Sequence, residues 1–130
     1  GPKIKILAQR VSRYQPLNQY EKNSNYSWLL MEAILNKWCS EVNVPVIIFT
    51  IPIYQYIERL ASSNSYQARF RSFKNSGNVY VHDPLKDIHQ FPQRELRKFR
   101  FEIDQHPTPL AHEVFANSLA KTIKNIEGFK

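Results

Sequence analysis

Val44-Pro45-Val46-Ile47-Ile48-Phe49-Thr50-Ile51 is a continuous apolar run dominated by β-branched residues. Such a run, without polar alternation, predicts a strand buried on both faces, as in a parallel sheet covered by helices. Pro45 stands near its start and Pro52 follows its end, where a missing ladder donor matters least. Upstream, Trp28, Met31, Ile34, Leu35, Trp38 and Val42 recur at helical spacing, which predicts an amphipathic helix over residues 26–42 packed on that sheet. Downstream, residues 54–74 carry Tyr56, Ile57, Leu60, Phe70 and Phe73 among charges. They read as a helix or helix pair broken near Ser62–Ser65. Ser76-Gly77-Asn78 signals a turn, and Val79-Tyr80-Val81 a second strand ending in His82-Asp83-Pro84.

Farther out, residues 85–103 look irregular or partly helical, and residues 14–26, rich in Tyr, Asn, Gln and Ser, read as loop. Residues 3–13 leave helix and extended arm open. The last element is the clearest. Thr108 is a good N-cap and Pro109 suits the first helical position. Glu113 lies early and Lys121 and Lys124 late, as the helix dipole prefers. Ala111, Phe115, Leu119 and Ile126 share one face, and Gly128 can end the helix. Helices alternating with strands predict a three-layer α/β/α fold: a small parallel sheet with Val46–Ile51 as its central strand.

The 130 residues are one domain's length, and 42% hydrophobic with 13% aromatic content fills one core. The apolar run is too short to span a bilayer, and no signal peptide opens the chain. Gly1-Pro2 reads as the remnant of a cleaved tag, leaving 3–130 as a single α/β domain or the C-terminal portion of one. The single cysteine, Cys39, excludes an internal disulfide and a cysteine-built zinc site. The net charge of +7 invites a nucleic-acid reading. The cations are spread over the chain, however, and the densest run, Arg94 to Arg100, is interrupted by Glu95, so a solvated basic face is expected and no nucleic acid. With three glycines, no phosphate-binding glycine loop is present and no nucleotide cofactor is expected.

Sites in open parallel sheets lie beyond the carboxyl ends of strands. Ile51 to Tyr54 and His82-Asp83 qualify, and so does Asp104-Gln105-His106-Pro107-Thr108 before the last helix. In an extended loop residues two apart share a side, so Asp104 can accept the ring N–H of His106, fix its tautomer and leave the other nitrogen as a base. The plain alternative is a histidine near a helix N-terminus beside a capping aspartate. His112 reads as a second imidazole or, by preference, a partly buried packing residue, and Asp83 as a turn or cap carboxylate. His82, Asp83, His89, Asp104, His106 and His112 could supply metal ligands, but they come from separate loops without zincin spacing, so no metal is expected.

The block Asp104-Gln105-His106-Pro107-Thr108-Pro109-Leu110-Ala111-His112-Glu113-Val114-Phe115-Ala116 resembles the last sequence block of the SGNH/GDSL hydrolases. There an Asp and a His two or three residues later precede the final helix. Over residues 26–126 the chain is similar in kind: an amphipathic helix, a hydrophobic strand (VPVIIFTIP) and a second strand (VYVHDP) precede that block. The resemblance implies a flavodoxin-like, SGNH-type fold and an esterase or O-acyltransferase acting on acylated carbohydrate or lipid. His106 would be its general base and Asp104 the orienting carboxylate. The departures are equally specific: the Gly-Asp-Ser nucleophile segment and the oxyanion-hole Gly and Asn blocks are missing, and Ser62, Ser63 and Ser65 lie in no such motif. The chain thus resembles the C-terminal half of such an enzyme and is expected to be inactive alone. The alternative is a non-catalytic α/β binding or interaction domain. An open strand edge and uncovered apolar surface, with Trp28, Trp38, Phe70 and Phe73 as candidates, predict self-association or dependence on the missing half.

Overall fold

The computed structural model describes residues 1–11, 14–75 and 77–126. Eight helices and strands follow in the order α1 (Pro2–Val11), α2 (Tyr26–Glu41), β1 (Val46–Phe49), α3 (Tyr54–Ile57), α4 (Asn64–Phe70), β2 (Val79–His82), α5 (Leu85–Ile88) and α6 (Pro109–Asn125). Short 3-10 turns occupy Asn18–Tyr20, Arg71–Asn75 and Gln93–Phe99. Residues 3–11 are therefore helical; Ser12, Arg13, the turn position Ser76 and the suggested helix stop Gly128 lie outside the described residues.

β1 and β2 pair in parallel, with Val46 opposite Val79 and Phe49 opposite His82. A parallel pair needs a long crossover, and residues 50–78, with α3 and α4, supply it. Alternation along the strands separates two faces. Val46, Ile48, Val79 and Val81 turn toward Trp28 and Cys39 of α2 and toward Phe73. Phe49 and His82 turn the other way, where Phe49 meets Phe115 of α6 with ring centroids 6.4 Å apart. The strand is shorter than its apolar run. Ile51, beyond the last paired residue, is 63% exposed, and only Val46 of β1 is fully buried. Full burial thus holds for Val46 alone, while Ile47, Ile48 and Phe49 are half-buried and Val44 is exposed. Among the described residues the sheet has two strands, so β1 is an edge strand and not the expected central one.

Asn25 caps α2, its side chain accepting from the backbone N–H of Ser27 and Trp28 at 3.0 and 3.3 Å. One stripe of α2 (Trp28, Met31, Leu35, Cys39, Val42) packs on the sheet. Trp28 is enclosed edge-on by Tyr20, Phe70 and Phe73 at 5.9, 5.4 and 6.1 Å. Trp28 and Phe73 are fully buried, so they do not belong to an uncovered surface. Ile34 and Trp38, expected on the sheet, face solvent instead with Tyr26, Leu29 and Leu30. Apolar residues surround this helix, whereas the two-stranded sheet contacts one side of it.

The second core gathers Tyr56, Ile57, Tyr66, Leu85, Ile88, Leu96, Phe99, Ala111 and Phe115 around the N-terminal half of α6. Thr108 caps α6 as its sequence predicts, accepting from Ala111 N while donating to the Lys98 carbonyl at 2.7 Å. Within this core Arg100 is paired with Glu58, both nearly inaccessible, and the guanidinium lies over the Tyr54 ring, 4.8 Å from its centroid.

Candidate functional site

Asp104 and His106 stand on a short turn that leads from the second core into α6. Arg100 and Pro107 form an antiparallel bridge at its base. Phe101 N–H donates to the His106 carbonyl at 3.1 Å, and Gln105 N–H to the Phe101 carbonyl at 3.3 Å. Gln105 adopts φ +63°, a left-handed conformation that few non-glycine residues take. The segment is therefore a tight turn and not the extended loop whose side-sharing would bring residues 104 and 106 together. The turn brings them together all the same, with His106 Nδ1 2.5 Å from Asp104 Oδ1. The carboxylate accepts the Nδ1 proton, which leaves Nε2 as the basic nitrogen, and Nε2 makes no hydrogen bond among the described residues. Both side chains are open to water, 75% exposed for His106 and 64% for Asp104.

His106 and Pro107 line one wall of an apolar cavity of about 550 Å³, completed by Phe49, Ile51, His112 and Phe115. The pair thus stands beside the carboxyl end of β1, the side of a parallel sheet on which ligands collect. His112 lies one turn into α6 and was expected to pack partly buried. It is exposed, because among the described residues the sheet ends at β1 and no further strand lies beside this side of α6; its ring meets Phe115 edge-on at 6.2 Å.

The other candidates lie elsewhere. Asp83 accepts from Tyr66 Oη (2.7 Å), Gln67 Nε2 (2.9 Å) and Leu85 N–H (3.0 Å), so its oxygens are committed to holding α4 and α5, in keeping with a cap. Burial, then the bond to Asp83, pushes the Tyr66 phenol up. Asp83, Gln67, Thr50, Arg71 and Lys86 line a polar cavity of about 420 Å³ beyond β2. His89 donates from Nε2 to the carbonyls of Tyr56 and Ile57. Among the described residues no three His, Cys, Asp or Glu side chains converge to hold a metal ion.

One polar chain escaped the sequence reading. Ser118 Oγ donates to Asp87 Oδ2 at 2.6 Å and lies 2.8 Å from His82 Nε2, while Thr122 Oγ1 is 2.7 Å from His82 Nδ1. A carboxylate only accepts, so it takes the single serine proton. His82 Nε2–H then donates to Ser118, and the Thr122 hydroxyl donates to Nδ1. Ser118 resembles a nucleophile beside a base, but it is 1% exposed and its proton points at Asp87, so it holds α6 onto β2. The local signal was slight: Ser118 and Thr122, four apart, break the apolar face of α6.

Burial lowers the pKa of His82, only partly offset by Asp87 and Asp83. The unfolded chain, with its ordinary histidine, takes up the proton first as the pH falls below about 6.5. This contribution to stability is complete above that pH and is lost as the pH falls toward the lower folded value. We expect the melting temperature to drop between neutral pH and mild acid, and the drop to shrink in His82→Gln. An identical pH slope in that variant would refute the assignment.

No family model matches the chain, and neither a curated protein nor a solved structure is significantly similar to it.

Proposed function

We propose that this chain is the C-terminal part of an SGNH-type ester hydrolase or O-acyltransferase, in which His106 is the general base and Asp104 orients it. The observation that carries the reading is the Asp104–His106 hydrogen bond, held by a turn at the carboxyl end of a parallel strand beside an apolar cavity. With Nδ1 engaged, Nε2 takes the proton of a serine hydroxyl as the oxygen attacks an ester carbonyl. It returns that proton to the leaving alkoxide. Water or a sugar hydroxyl then accepts the acyl group. The serine belongs to another part of the parent protein, and the cavity walled by Phe49, Ile51 and Phe115 suits the acyl chain of an acylated carbohydrate or lipid.

The fold is read as an incomplete three-layer, flavodoxin-like one. Two features support a missing part. Among the described residues β1 presents an unpaired edge, and α2 presents Tyr26, Leu30, Ile34 and Trp38, four apart and about half exposed or more. A contiguous apolar face of this kind marks an interface, and its occupant in the parent is the N-terminal half. The isolated chain is expected to lack activity and to self-associate through that face.

An activated-serine probe of the fluorophosphonate class tests the reading. The full-length parent is expected to be labelled at a serine outside residues 3–130, and the isolated chain to stay unlabelled. A parent that neither reacts with the probe nor hydrolyses a nitrophenyl ester would favour the non-catalytic binding domain.

A further inference from the structure

α1 carries a surface that the proposed chemistry does not use. Ile4, Leu7 and Val11 recur at i, i+3 and i+7 and so form one stripe, 72%, 62% and 78% exposed. Lys3 and Lys5 flank that stripe. On the side that Lys3 and Ile6 occupy, α1 lies against the Gln93–Phe99 turn around a cavity of about 360 Å³. Lys3, Arg94 and Arg97 line the cavity with Gln93 and Glu58. The Glu58 carboxylate is already neutralised by Arg100. The remaining pairs, Arg94 to Glu95 at 3.8 Å and Arg97 to Glu102 at 3.9 Å, are long and exposed and hold their arginines weakly. Lys3, Arg94 and Arg97 therefore face one cavity whose lining carboxylate, Glu58, is already paired with Arg100.

We propose that this surface binds an anionic phospholipid leaflet, with a lipid phosphate seated among Lys3, Arg94 and Arg97 and with Ile4, Leu7 and Val11 at the headgroup–acyl boundary. A narrow aliphatic stripe bordered by lysines, next to a basic cavity roomy enough for a phosphate headgroup, on a chain of net charge +7, matches an interfacial helix. The exposed face of α2 differs in kind. Tyrosine, leucine and tryptophan with a self-paired Lys37 and Glu41 suit a protein partner. Ten residues rise only about 15 Å, so α1 lies on a bilayer and does not cross it. No described helix is long and apolar enough to cross. The proposal is independent of the Asp104–His106 chemistry.

Vesicle co-sedimentation of the 130-residue chain tests it. Phosphatidylcholine vesicles containing phosphatidylglycerol are expected to retain the chain, vesicles of phosphatidylcholine alone are not, and added salt should release it. The double change Ile4→Ser and Leu7→Ser should weaken partitioning by at least about tenfold. Arg94→Gln with Arg97→Gln should remove the preference for phosphatidylglycerol. All four residues are exposed, so circular dichroism and melting temperature should not move. Absence of binding, equal binding to both vesicles, or unchanged binding of the Ile4/Leu7 variant would overturn the proposal. So would a dimer in sedimentation velocity that the Ile4/Leu7 variant dissociates, because a second copy would then cover the stripe. Binding of free glycerol 3-phosphate without vesicle binding would reduce the surface to a soluble-anion pocket and overturn the lipid assignment.

Discussion

Exchanging Arg100 for methionine is expected to cost the fold about 3–5 kcal/mol, read from urea unfolding at neutral pH. Arg100 and Glu58 are 6% and 8% exposed, and the arginine addresses both carboxylate oxygens through Nε and Nη2. The pair came out of water at a large desolvation penalty that its mutual attraction offsets only when both members are present. Methionine fills much of the arginine stem's space and leaves the Glu58 carboxylate without its counterion. The Tyr54 ring also loses the cation above it. A domain of this size is stable by about 5–15 kcal/mol, so the loss is a large share of the whole. The double variant Glu58→Leu/Arg100→Met should recover most of it, because then no charge is buried. A single variant that loses less than about 1 kcal/mol would show that water reaches the pair. Arg100 also forms the base of the turn that carries Asp104 and His106, so loosening this pair should loosen the site as well.

That coupling was invisible in the sequence, and the reason is physical. Local patterns report local constraints. The β-branched run located β1, the Val79–His82 segment located β2, and Thr108 with Pro109 located the start of α6 to the residue. The spacing of Asp104 and His106 put two side chains within reach whether the backbone between them was extended or, as found, left-handed at Gln105. Contacts between distant segments left no such trace. Glu58 and Arg100 stand 42 residues apart, and each looks like an ordinary surface charge until the fold buries both. His82 and Ser118, 36 apart, are the same kind of case. The apolar period of α2 was read correctly as helical, but a period cannot say which of two apolar stripes meets the sheet. Trp28 and Trp38 are both on the helix; only the first is buried.

In the full-length parent, His106→Ala is expected to reduce ester turnover by on the order of 10⁶-fold, toward what positioning and oxyanion contacts alone supply. Asp104→Asn should cost less, on the order of 10³–10⁴-fold. The ordering follows from the geometry. On the proposed reading His106 Nε2 is the nitrogen that takes the proton, whereas Asp104 acts through the ring by holding Nδ1–H. An asparagine at 104 keeps the bond but can offer its amide N–H to Nδ1, and the ring then carries its proton on Nε2, where the base must be empty. In the isolated chain the pair is open to water and screened, and its contribution to folding is small. Both variants should therefore melt with the parent chain, which separates lost chemistry from lost structure. The size of the loss distinguishes the two roles, since removing the base abolishes proton transfer whereas removing the carboxylate leaves the ring in place without its orienting partner. Unaltered turnover in the His106→Ala parent would end the assignment of the base. Turnover in Asp104→Asn as high as in the unaltered parent would end the assignment of the orienting carboxylate.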